Sequence, residues 1–183
     1  MRNVVYAINL SADGCCDHTK FGGSEEILEY FTALMQDVDL IVYGRITYEL
    51  MIPYWPDVAK DQSSTKAEIE FAQTFDAIDK IVFSRTLDSA EGNPKIVSEN
   101  LSEEIRKLKQ QSGKKISIGG VSLPAQLVAL GLVDEFYFVV HPAIVGEGRR
   151  LFEDIGLPEK LNLKLADSKI LKSGCAALHY LKQ

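Results

Sequence analysis

The chain has 183 residues, of which 46% are hydrophobic and 25% are charged, which is the composition of a globular domain rather than of an extensively disordered one. This length can bury a sizeable core but is short for two domains, so we expect a single domain over residues 1–183. The formal net charge of −6 excludes a general attraction to nucleic acid or to an anionic membrane. An anionic ligand would therefore need a local group of cations.

The first apolar stretch, residues 4–10, is short and interrupted by Asn9, which favours a strand over a signal peptide. No segment approaches the roughly 18 consecutive apolar residues of a membrane span. The three cysteines are an odd number, with Cys15 and Cys16 adjacent and Cys175 alone, so we expect no disulfide framework. The histidines lack the spacing of metal ligands. These features indicate a cytoplasmic protein without a metal site.

Short apolar runs alternate along the chain with helical patterns, which is typical of an α/β domain. In chain order the predicted elements are a strand at 4–10, a helix at 24–36, a strand at 40–43, a helix at about 65–75, a strand at 80–84, a helix at 101–111, a strand at 115–118, a helix at 122–130, and strands at 132–140, 161–171 and 176–181. The last two strands flank a Lys-Ser-Gly turn and form a hairpin. The sequence therefore predicts a mainly parallel sheet, covered by helices, that ends in an antiparallel pair.

Several residues are predicted to begin or end these helices. Ser24 is placed to cap the first helix, where acidic residues suit the positive end of the helix dipole. Asn100 and Glu103 form a capping pair before the third helix. Ser122 is the expected N-cap of the fourth helix, and Gly131 is its expected C-terminal stop.

Three of the predicted strands end in small, hydroxylated or cationic residues. These turns are residues 43–49, 83–87 and 118–122, and ligands bind outside the carboxyl ends of strands in an open parallel sheet. Arg45 and Arg85 offer guanidinium groups to phosphate oxygens, while Thr47 and Ser84 offer hydroxyl groups. Together the turns predict a site for a pyrophosphate and one further phosphate, which NADPH carries and NADH does not.

Each turn alone has a simpler interpretation. A Gly-Gly pair such as Gly119-Gly120 forms a tight turn more often than a cofactor site. An arginine that follows a strand is usually a solvated surface residue. The occurrence of all three turns, in this order, is what favours a cofactor.

Segments along the whole chain together resemble the dihydrofolate reductase superfamily. They are Leu10-Ser11-Ala12-Asp13-Gly14, Gly44-Arg45-x-Thr47-Tyr48-Glu49, Ser84-Arg85-Thr86-Leu87, Gly119-Gly120, Gly131-Leu132-Val133-Asp134-Glu135, Pro142, and Gly146-Glu147-Gly148-Arg149-Arg150-Leu151-Phe152. The Gly-Leu-Val-Asp-Glu strand, followed by proline and then Gly-x-Gly-x-x-Leu-Phe, is similar to the reductase domain of the bifunctional riboflavin-biosynthesis deaminase-reductase and its stand-alone relatives.

The resemblance implies a three-layer α-β-α fold with a mainly parallel eight-stranded sheet, a homodimer, and NADPH as the hydride donor. It assigns Ala7 to the nicotinamide, Arg45 and Thr47 to the phosphates, Ser84 and Arg85 to the 2′-phosphate, and Gly119 and Gly120 to the pyrophosphate, with Gly44, Val121 and Ser122 in the same turns. It also implies an unusual backbone at Gly119-Gly120, where we expect a cis peptide bond.

The activity implied by the resemblance is reduction of a small heterocyclic substrate, as in the 5-amino-6-(5-phosphoribosylamino)uracil reductase step of riboflavin biosynthesis. Two alternatives stay open, namely pterin reduction of the dihydrofolate reductase type and a nucleotide-binding module without catalysis. In true dihydrofolate reductases a carboxylate on the first helix anchors the pterin, and its counterpart here lies among residues 25–29.

Five residues are candidates for contact with the substrate. Asp13 follows the first strand and is the first candidate for a catalytic carboxylate, although a turn residue is an equally good interpretation. Glu26 is the second candidate, but charges at a helix start usually compensate the dipole. Tyr48, Tyr54 and Trp55 could stack on a planar heterocycle or simply pack beneath a loop.

The C-terminal part of the chain predicts self-association. Residues 136–140 are all apolar, and together with the hairpin they would leave more apolar edge than a monomer comfortably exposes. This favours a homodimer. The alternative is that helices cover these strands within one chain.

Overall fold

The computed structural model describes residues 1–61, 63–92, 94–153, 155–157 and 160–183. Within these residues eight strands form one sheet, and six helices pack against it. The strands are β1 (Val4–Ser11), β2 (Val38–Gly44), β3 (Asp79–Phe83), β4 (Lys95–Val97), β5 (Lys115–Ile118), β6 (Glu135–His141), β7 (Leu163–Ile170) and β8 (Ala176–Lys182). The helices are α1 (Glu25–Met35), α2 (Arg45–Met51), α3 (Tyr54–Val58), α4 (Lys66–Asp76), α5 (Leu101–Gln110) and α6 (Ser122–Ala129).

The strand order in the sheet is β4-β3-β2-β5-β1-β6-β8-β7. All neighbours from β4 to β6 are parallel, whereas β6 with β8 and β8 with β7 are antiparallel. The predicted architecture, a mainly parallel eight-stranded sheet that ends in an antiparallel hairpin, is therefore confirmed.

Alternate residues of the central strands separate the core into two layers. Val4 and Tyr6 of β1 pack in a cluster with residues of α5 and α6. Val5 packs in a second cluster with residues of α4, and side chains of α1 lie against that cluster. Because successive side chains of a strand point to opposite faces, the sheet lies between two helical layers.

The helix ends confirm some of the predicted caps. Ser24 caps α1, and its Oγ accepts a hydrogen bond from the Ile27 N–H at 3.4 Å. Gly131 ends α6 with a positive φ of 66°, a conformation that glycine adopts without strain. α4 begins with a cap that was not predicted, a reciprocal capping box formed by Thr65 and Glu68.

Two other predicted caps differ from the structure. Asn100 occupies the predicted N-cap position of α5, but it has a left-handed backbone with φ of 55° and makes no side-chain cap hydrogen bond. Ser122 is the first residue of α6, and Val121 occupies the N-cap position. The Ser122 hydroxyl accepts a hydrogen bond from Arg149 Nη2 at 2.9 Å instead.

The position of β6 corrects one premise of the predicted dimer. β6 is hydrogen-bonded to β1 on one side and to β8 on the other, so residues 136–140 form no edge of the sheet. The edge at this end is β7, whose residues Leu165 and Ile170 are exposed. Separately, none of the helices in the described ranges is both long and apolar enough to cross a bilayer.

Candidate functional site

The three turns that follow β3, β2 and β5 lie side by side. These strands are consecutive in the sheet, they are parallel, and their carboxyl ends therefore meet at one edge. We call this region the donor edge, defined as residues 43–49, 83–87 and 118–122. The structure thus brings together the three turns that the sequence analysis assigned to phosphate groups.

The Gly119-Gly120 turn needs both of its glycines. A Cβ on Gly119 would collide with the ring of Tyr43, and a Cβ on Gly120 would collide with Thr47 Oγ1. Gly120 also has a positive φ of 86°, and its carbonyl accepts a hydrogen bond from the Tyr6 hydroxyl at 2.8 Å. The unusual backbone conformation is confirmed.

The predicted cis peptide bond at this turn is wrong. Every peptide bond in the described part of the chain is trans. The positive φ of Gly120 already reverses the chain direction between β5 and α6, so the turn is made without a cis bond.

The donor edge carries guanidinium and hydroxyl groups that differ in whether they are already paired with neighbouring residues. Arg45 is exposed and forms an ion pair with Glu49 at 2.9 Å. Arg85 is exposed and forms no ion pair with any other described residue. Ser84 is half-buried, and its Oγ accepts hydrogen bonds from the backbone N–H groups of Thr86 and Leu87 at 3.2 and 3.1 Å, which stabilise the turn. Arg85 is therefore held at the end of β3 with its side chain available to a ligand.

Arg149, a residue of the 146–152 motif for which no role was predicted, is a further candidate residue of this site. Its guanidinium group donates to Ser122 Oγ at the start of α6, where free backbone N–H groups favour an anion. Val121, Ser122, Arg149 and Arg150 line a cavity of about 340 Å³ there. The Gly-x-Gly-Arg-Arg pattern was the available signal, because it predicts a turn carrying adjacent cations.

A larger cavity of about 640 Å³, here called the main cavity, lies between the sheet and α1. The strand register explains which side chains form the floor of this cavity. Val5 pairs with Ser117 on one side and with Glu135 on the other, and Ala7 pairs with Tyr137, so these side chains share one face of the sheet. Val5, Ala7, Ser117, Gly119 and Tyr137 all line the cavity. Ala7 and Gly119 thus connect the main cavity with the donor edge.

The other walls of the main cavity are mainly apolar, although Asn9, His18 and Asp37 also line it. Ile27, Leu28 and Phe31 of α1 face it, as do Tyr54, Trp55, Phe71 and Phe75 from α3 and α4. Trp55 and Phe71 pack with their ring centroids 4.3 Å apart. Two of the three aromatic residues predicted to contact a substrate, Tyr54 and Trp55, therefore lie at this cavity.

Tyr48 lies elsewhere. Its side chain is buried in the core, and its hydroxyl donates a hydrogen bond to the backbone carbonyl of Glu91. Tyr48 is absent from the described lining of the main cavity. The packing interpretation therefore agrees with its contacts.

One end of the main cavity carries a network of ionisable groups around Glu135. Glu135 Oε2 accepts hydrogen bonds from Lys115 Nζ at 3.0 Å, from the Tyr137 hydroxyl at 2.8 Å and from His179 Nε2 at 3.1 Å. Asn3 Nδ2 donates to Oε1 at 2.7 Å. We call these five residues the Glu135 cluster. Lys115 and Tyr137 of this cluster also line the cavity.

The pKa of Glu135 shows that the cluster holds a charged carboxylate. Burial alone would raise this pKa, but the hydrogen bonds from Asn3, Tyr137 and Lys115 outweigh burial and lower it to about 2. Burial and the adjacent carboxylate together raise the pKa of the Tyr137 hydroxyl. Glu135 is therefore anionic at neutral pH and forms an ion pair with Lys115.

Asp13 holds two loops together. Its carboxylate accepts hydrogen bonds from Ser11 Oγ at 2.6 Å and from the N–H groups of Val145 and Gly146 at 3.1 and 2.9 Å, and these bonds lower its pKa. Arg150 donates to its backbone carbonyl. These contacts favour the turn interpretation, and a catalytic role for Asp13 stays a prediction.

Glu26 also bonds to a loop. Its carboxylate accepts a hydrogen bond from the Ser173 N–H at 3.2 Å in the β7–β8 turn. Hydrogen bonding to the backbone near Lys172 lowers the pKa of this carboxyl. Of the described residues 25–29, Ile27 and Leu28 line the main cavity. The inner face of α1 therefore presents no carboxylate of the kind that anchors a pterin.

Comparison with known proteins agrees with this geometry. The family model of the RibD C-terminal domain matches residues 2–177. YyaP, an uncharacterised protein of Bacillus subtilis (strain 168), is 34% identical over 151 residues, which are 82% of this chain and 77% of that protein.

Two solved structures share the fold at low sequence identity. A Shewanella sp. PV-4 protein named for riboflavin biosynthesis has a TM-score of 0.74 at 21% identity, over 100% of this chain and 99% of that chain. Dihydrofolate reductase from Enterococcus faecalis, in complex with NADP(H) and RAB-propyl, has a TM-score of 0.65 at 14% identity, over 99% and 96% of the two chains. The family match and the sequence relative together show that this chain belongs to the RibD C-terminal domain family.

Proposed function

We propose that the protein is an NADPH-dependent reductase of a small heterocyclic substrate, of the riboflavin-pathway type. The observation that carries the proposal is the continuity between two sites. The donor edge offers cations and hydroxyl groups, and the main cavity begins beside it at Ala7 and Gly119. Membership of the RibD C-terminal domain family supports the same activity.

The residues of the donor edge fit the chemistry of NADPH. Arg45, Thr47 and Arg85 would hold phosphate oxygens, and Ser84 would support the turn that presents Arg85. Gly119 and Gly120 would let the pyrophosphate approach the backbone. Ser122 and Arg149 would receive a phosphate at the start of α6. This set concentrates positive charge in a protein whose net charge is −6.

When bound, NADPH supplies a hydride equivalent for a C=N or C=O carbon. The contribution of the chain is mainly orientation and exclusion of water. Ala7 has no side chain beyond Cβ, so a flat ring can lie against β1. Ile27, Leu28 and Phe31 cover that position from α1 and keep it dry. Asp13 is the predicted candidate for the proton source.

A specific observation keeps a second function under consideration. The carboxylates of Asp13 and Glu26 are both hydrogen-bonded to loops, and neither residue is among the described residues that line the main cavity. A protein that binds a nucleotide without catalysis would have the same features. The two functions differ in that only a reductase would oxidise NADPH in the presence of a substrate.

Two measurements on the parent protein test the proposal. Calorimetric titration measures NADPH binding, and absorbance at 340 nm measures NADPH oxidation with pyrimidine and pterin substrates. We expect micromolar binding and oxidation with at least one pyrimidine. Binding without turnover would favour the nucleotide-binding module. Absence of NADPH binding would contradict both functions.

A further inference from the structure

The main cavity contains few groups that could receive an anionic substrate. Among the described residues that line it, the basic side chains are Lys115 and His18. Arg45, Arg85 and Arg149 belong to the donor edge or the cavity beside α6. His18 is exposed at the cavity mouth. Lys115 is therefore the cation that a ligand would meet inside.

The charge of Lys115 is already balanced. Its Nζ lies 3.0 Å from Glu135 Oε2, and that carboxylate is buried and ionised. A second anion placed near Lys115 would also approach Glu135 and would lose its own hydration. The free-energy cost of removing an ion from water is offset only when a partner of opposite charge is available to it. The inner end of the cavity is therefore unfavourable for a carboxylate or a phosphate.

The same end offers hydrogen-bond donors to a neutral group. Lys115 Nζ donates to Glu135 and, at 3.4 Å, to the Tyr137 hydroxyl, which leaves one of its three N–H bonds for a ligand. Ser117 lies two residues along β5 on the same face and lines the cavity. Its hydroxyl makes no hydrogen bond with the other described residues. The Cα atoms of these two residues are separated by about 7 Å along the strand, and the long Lys115 side chain can bring its Nζ nearer to Ser117.

The shape and polarity of the walls favour a flat ring. Phe31, Trp55, Phe71 and Phe75 surround a floor of small side chains, including Ala7 and Ser117. Aromatic side chains stack on planar ligands and exclude water. A ring that enters this space meets mainly apolar surface, and the polar side chains of the lining include Asn9, His18, Asp37, Lys115 and Ser117.

We propose that the main cavity selects an uncharged, flat ring compound whose hydrogen-bond-accepting group binds Lys115 Nζ and Ser117 Oγ, and that it rejects phosphorylated substrates. The inference rests on the proposed reductase function, because it names the substrate class for that site. It separates this chain from the phosphoribosyl substrate that the family resemblance implies. The substrate would carry a carbonyl or ring nitrogen, and no phosphate.

The test compares probes of one shape and different charge. 2-Acetylnaphthalene and 2-naphthoate share a ring system and differ mainly in that a neutral ketone replaces a carboxylate. Binding is measured at pH 7.5 by calorimetry and by the fluorescence of Trp55, the single tryptophan of the chain. We expect the ketone to bind at least tenfold more tightly than naphthoate, and naphthyl phosphate to bind most weakly. Equal or tighter binding of either anion, or no binding of the ketone, overturns the proposal.

Variants locate the bound ketone. Ser117→Ala should weaken 2-acetylnaphthalene binding about 2- to 10-fold, the range expected for one hydrogen bond, and should leave naphthalene binding unchanged. Ser168→Ala is the matched control, because Ser168 is exposed on the edge strand β7. If Ser117→Ala and Ser168→Ala bind the ketone equally, the assigned contact is wrong.

A double variant tests Lys115 without leaving a buried charge unpaired. Lys115→Met combined with Glu135→Gln removes both ionised groups, and we expect a further loss of ketone affinity. If this protein does not fold, the Ser117 comparison still decides the proposal. All probe titrations are made without NADPH, so a failure of cofactor binding and a failure of this inference give different results.

Discussion

Gly120 illustrates how one residue shapes the site. Its φ of +86° and the position of Thr47 Oγ1 leave no room for a Cβ. We predict that Gly120→Ala lowers the free energy of unfolding by about 1–3 kcal/mol, the range for a strained backbone conformation. Urea denaturation of the parent and the variant measures this change.

The control for this prediction is Gly22→Ala. Gly22 has no positive φ, and a Cβ there would meet no atom within 4 Å. We expect its free energy of unfolding to stay within about 0.5 kcal/mol of the parent. Equal effects of the two substitutions would show that the turn tolerates a side chain.

Arg85 is the residue on which the predicted choice of cofactor depends. A charge-assisted hydrogen bond to the 2′-phosphate contributes roughly 1.5–3 kcal/mol, or about 10- to 150-fold in affinity. Arg85→Ala should therefore weaken NADPH binding by this factor and leave NADH binding nearly unchanged. Arg85→Lys should recover only part of the affinity, because an ammonium group lacks the planar fork.

Calorimetric titration of both cofactors decides this prediction. Arg106→Ala is a suitable control, since Arg106 is also exposed but lies in α5, outside the donor edge. If Arg85→Ala binds both cofactors as the parent does, the 2′-phosphate assignment is wrong. Arg45 then becomes the next residue to replace.

At the residue scale, the sequence predicted the positions of the donor-edge turns better than it predicted the hydrogen-bond partners of the Asp13 and Glu26 carboxylates. The three turns could be found because each follows a recognisable apolar strand. The hydrogen bonds of Asp13 to Val145 and Gly146 join residues more than 130 positions apart, and no local pattern predicts them. The same limit applies to Glu26 and its contact with Ser173.

At the scale of elements, the Glu135 cluster joins three strands and the residue before a fourth through side chains. Its residues come from β5, β6 and β8, with Asn3 immediately before β1. The folded-state pKa of Glu135 is about 2, below its ordinary value of 4.5. The carboxylate therefore stabilises the fold fully above about pH 4.5, and this contribution is lost as the pH falls toward 2.

Glu135→Gln should remove this part of the pH dependence. We predict that the parent loses more of its free energy of unfolding than the variant does between pH 5 and pH 2. Urea denaturation at several pH values measures the difference. Parallel pH profiles for the two proteins would show that Glu135 titrates normally in the folded state.

The lengths of the elements explain which of them the sequence revealed. Long periodic segments such as α1 and β6 were predicted within about three residues of their observed ends. Short elements were missed, namely α2 with seven residues, α3 with five and β4 with three. Such pieces are too short for a hydrophobic period, and their conformation depends on packing against the sheet.

The Glu135 cluster was also missed, although a signal was present. Glu135 begins a strand that is apolar from Phe136 to Val140 and, with Tyr137, alternates onto one face of the sheet. A carboxylate in such a strand indicates a buried partner. The identity of that partner, Lys115, follows only from the strand order, in which β5 lies on the other side of β1.

At the scale of the whole molecule, the open question is self-association. β7 is an edge strand, with Leu165 50% exposed and Ile170 74% exposed. We predict a homodimer that covers this edge, with a mass by light scattering of twice 20.3 kDa at micromolar concentration. Lysine at both positions should give a monomer, because charges on an edge strand oppose strand pairing.

Ile144→Lys is the control for the dimer. Ile144 is 83% exposed but lies outside β7, after β6, so this variant should remain dimeric. A parent protein with the mass of one chain would contradict the dimer. A dimer that survives both lysines would place the contact on another surface.

The central position of β1 has a consequence for synthesis of the chain. β1 precedes every other strand in chain order, and its hydrogen-bonding partners begin only at Lys115 and Glu135. At about 5–20 residues per second, the ribosome needs on the order of ten seconds to produce β6 after β1. During that interval residues 4–11 form an apolar segment with two unpaired edges. The nascent chain is then most open to aggregation and to capture by chaperones.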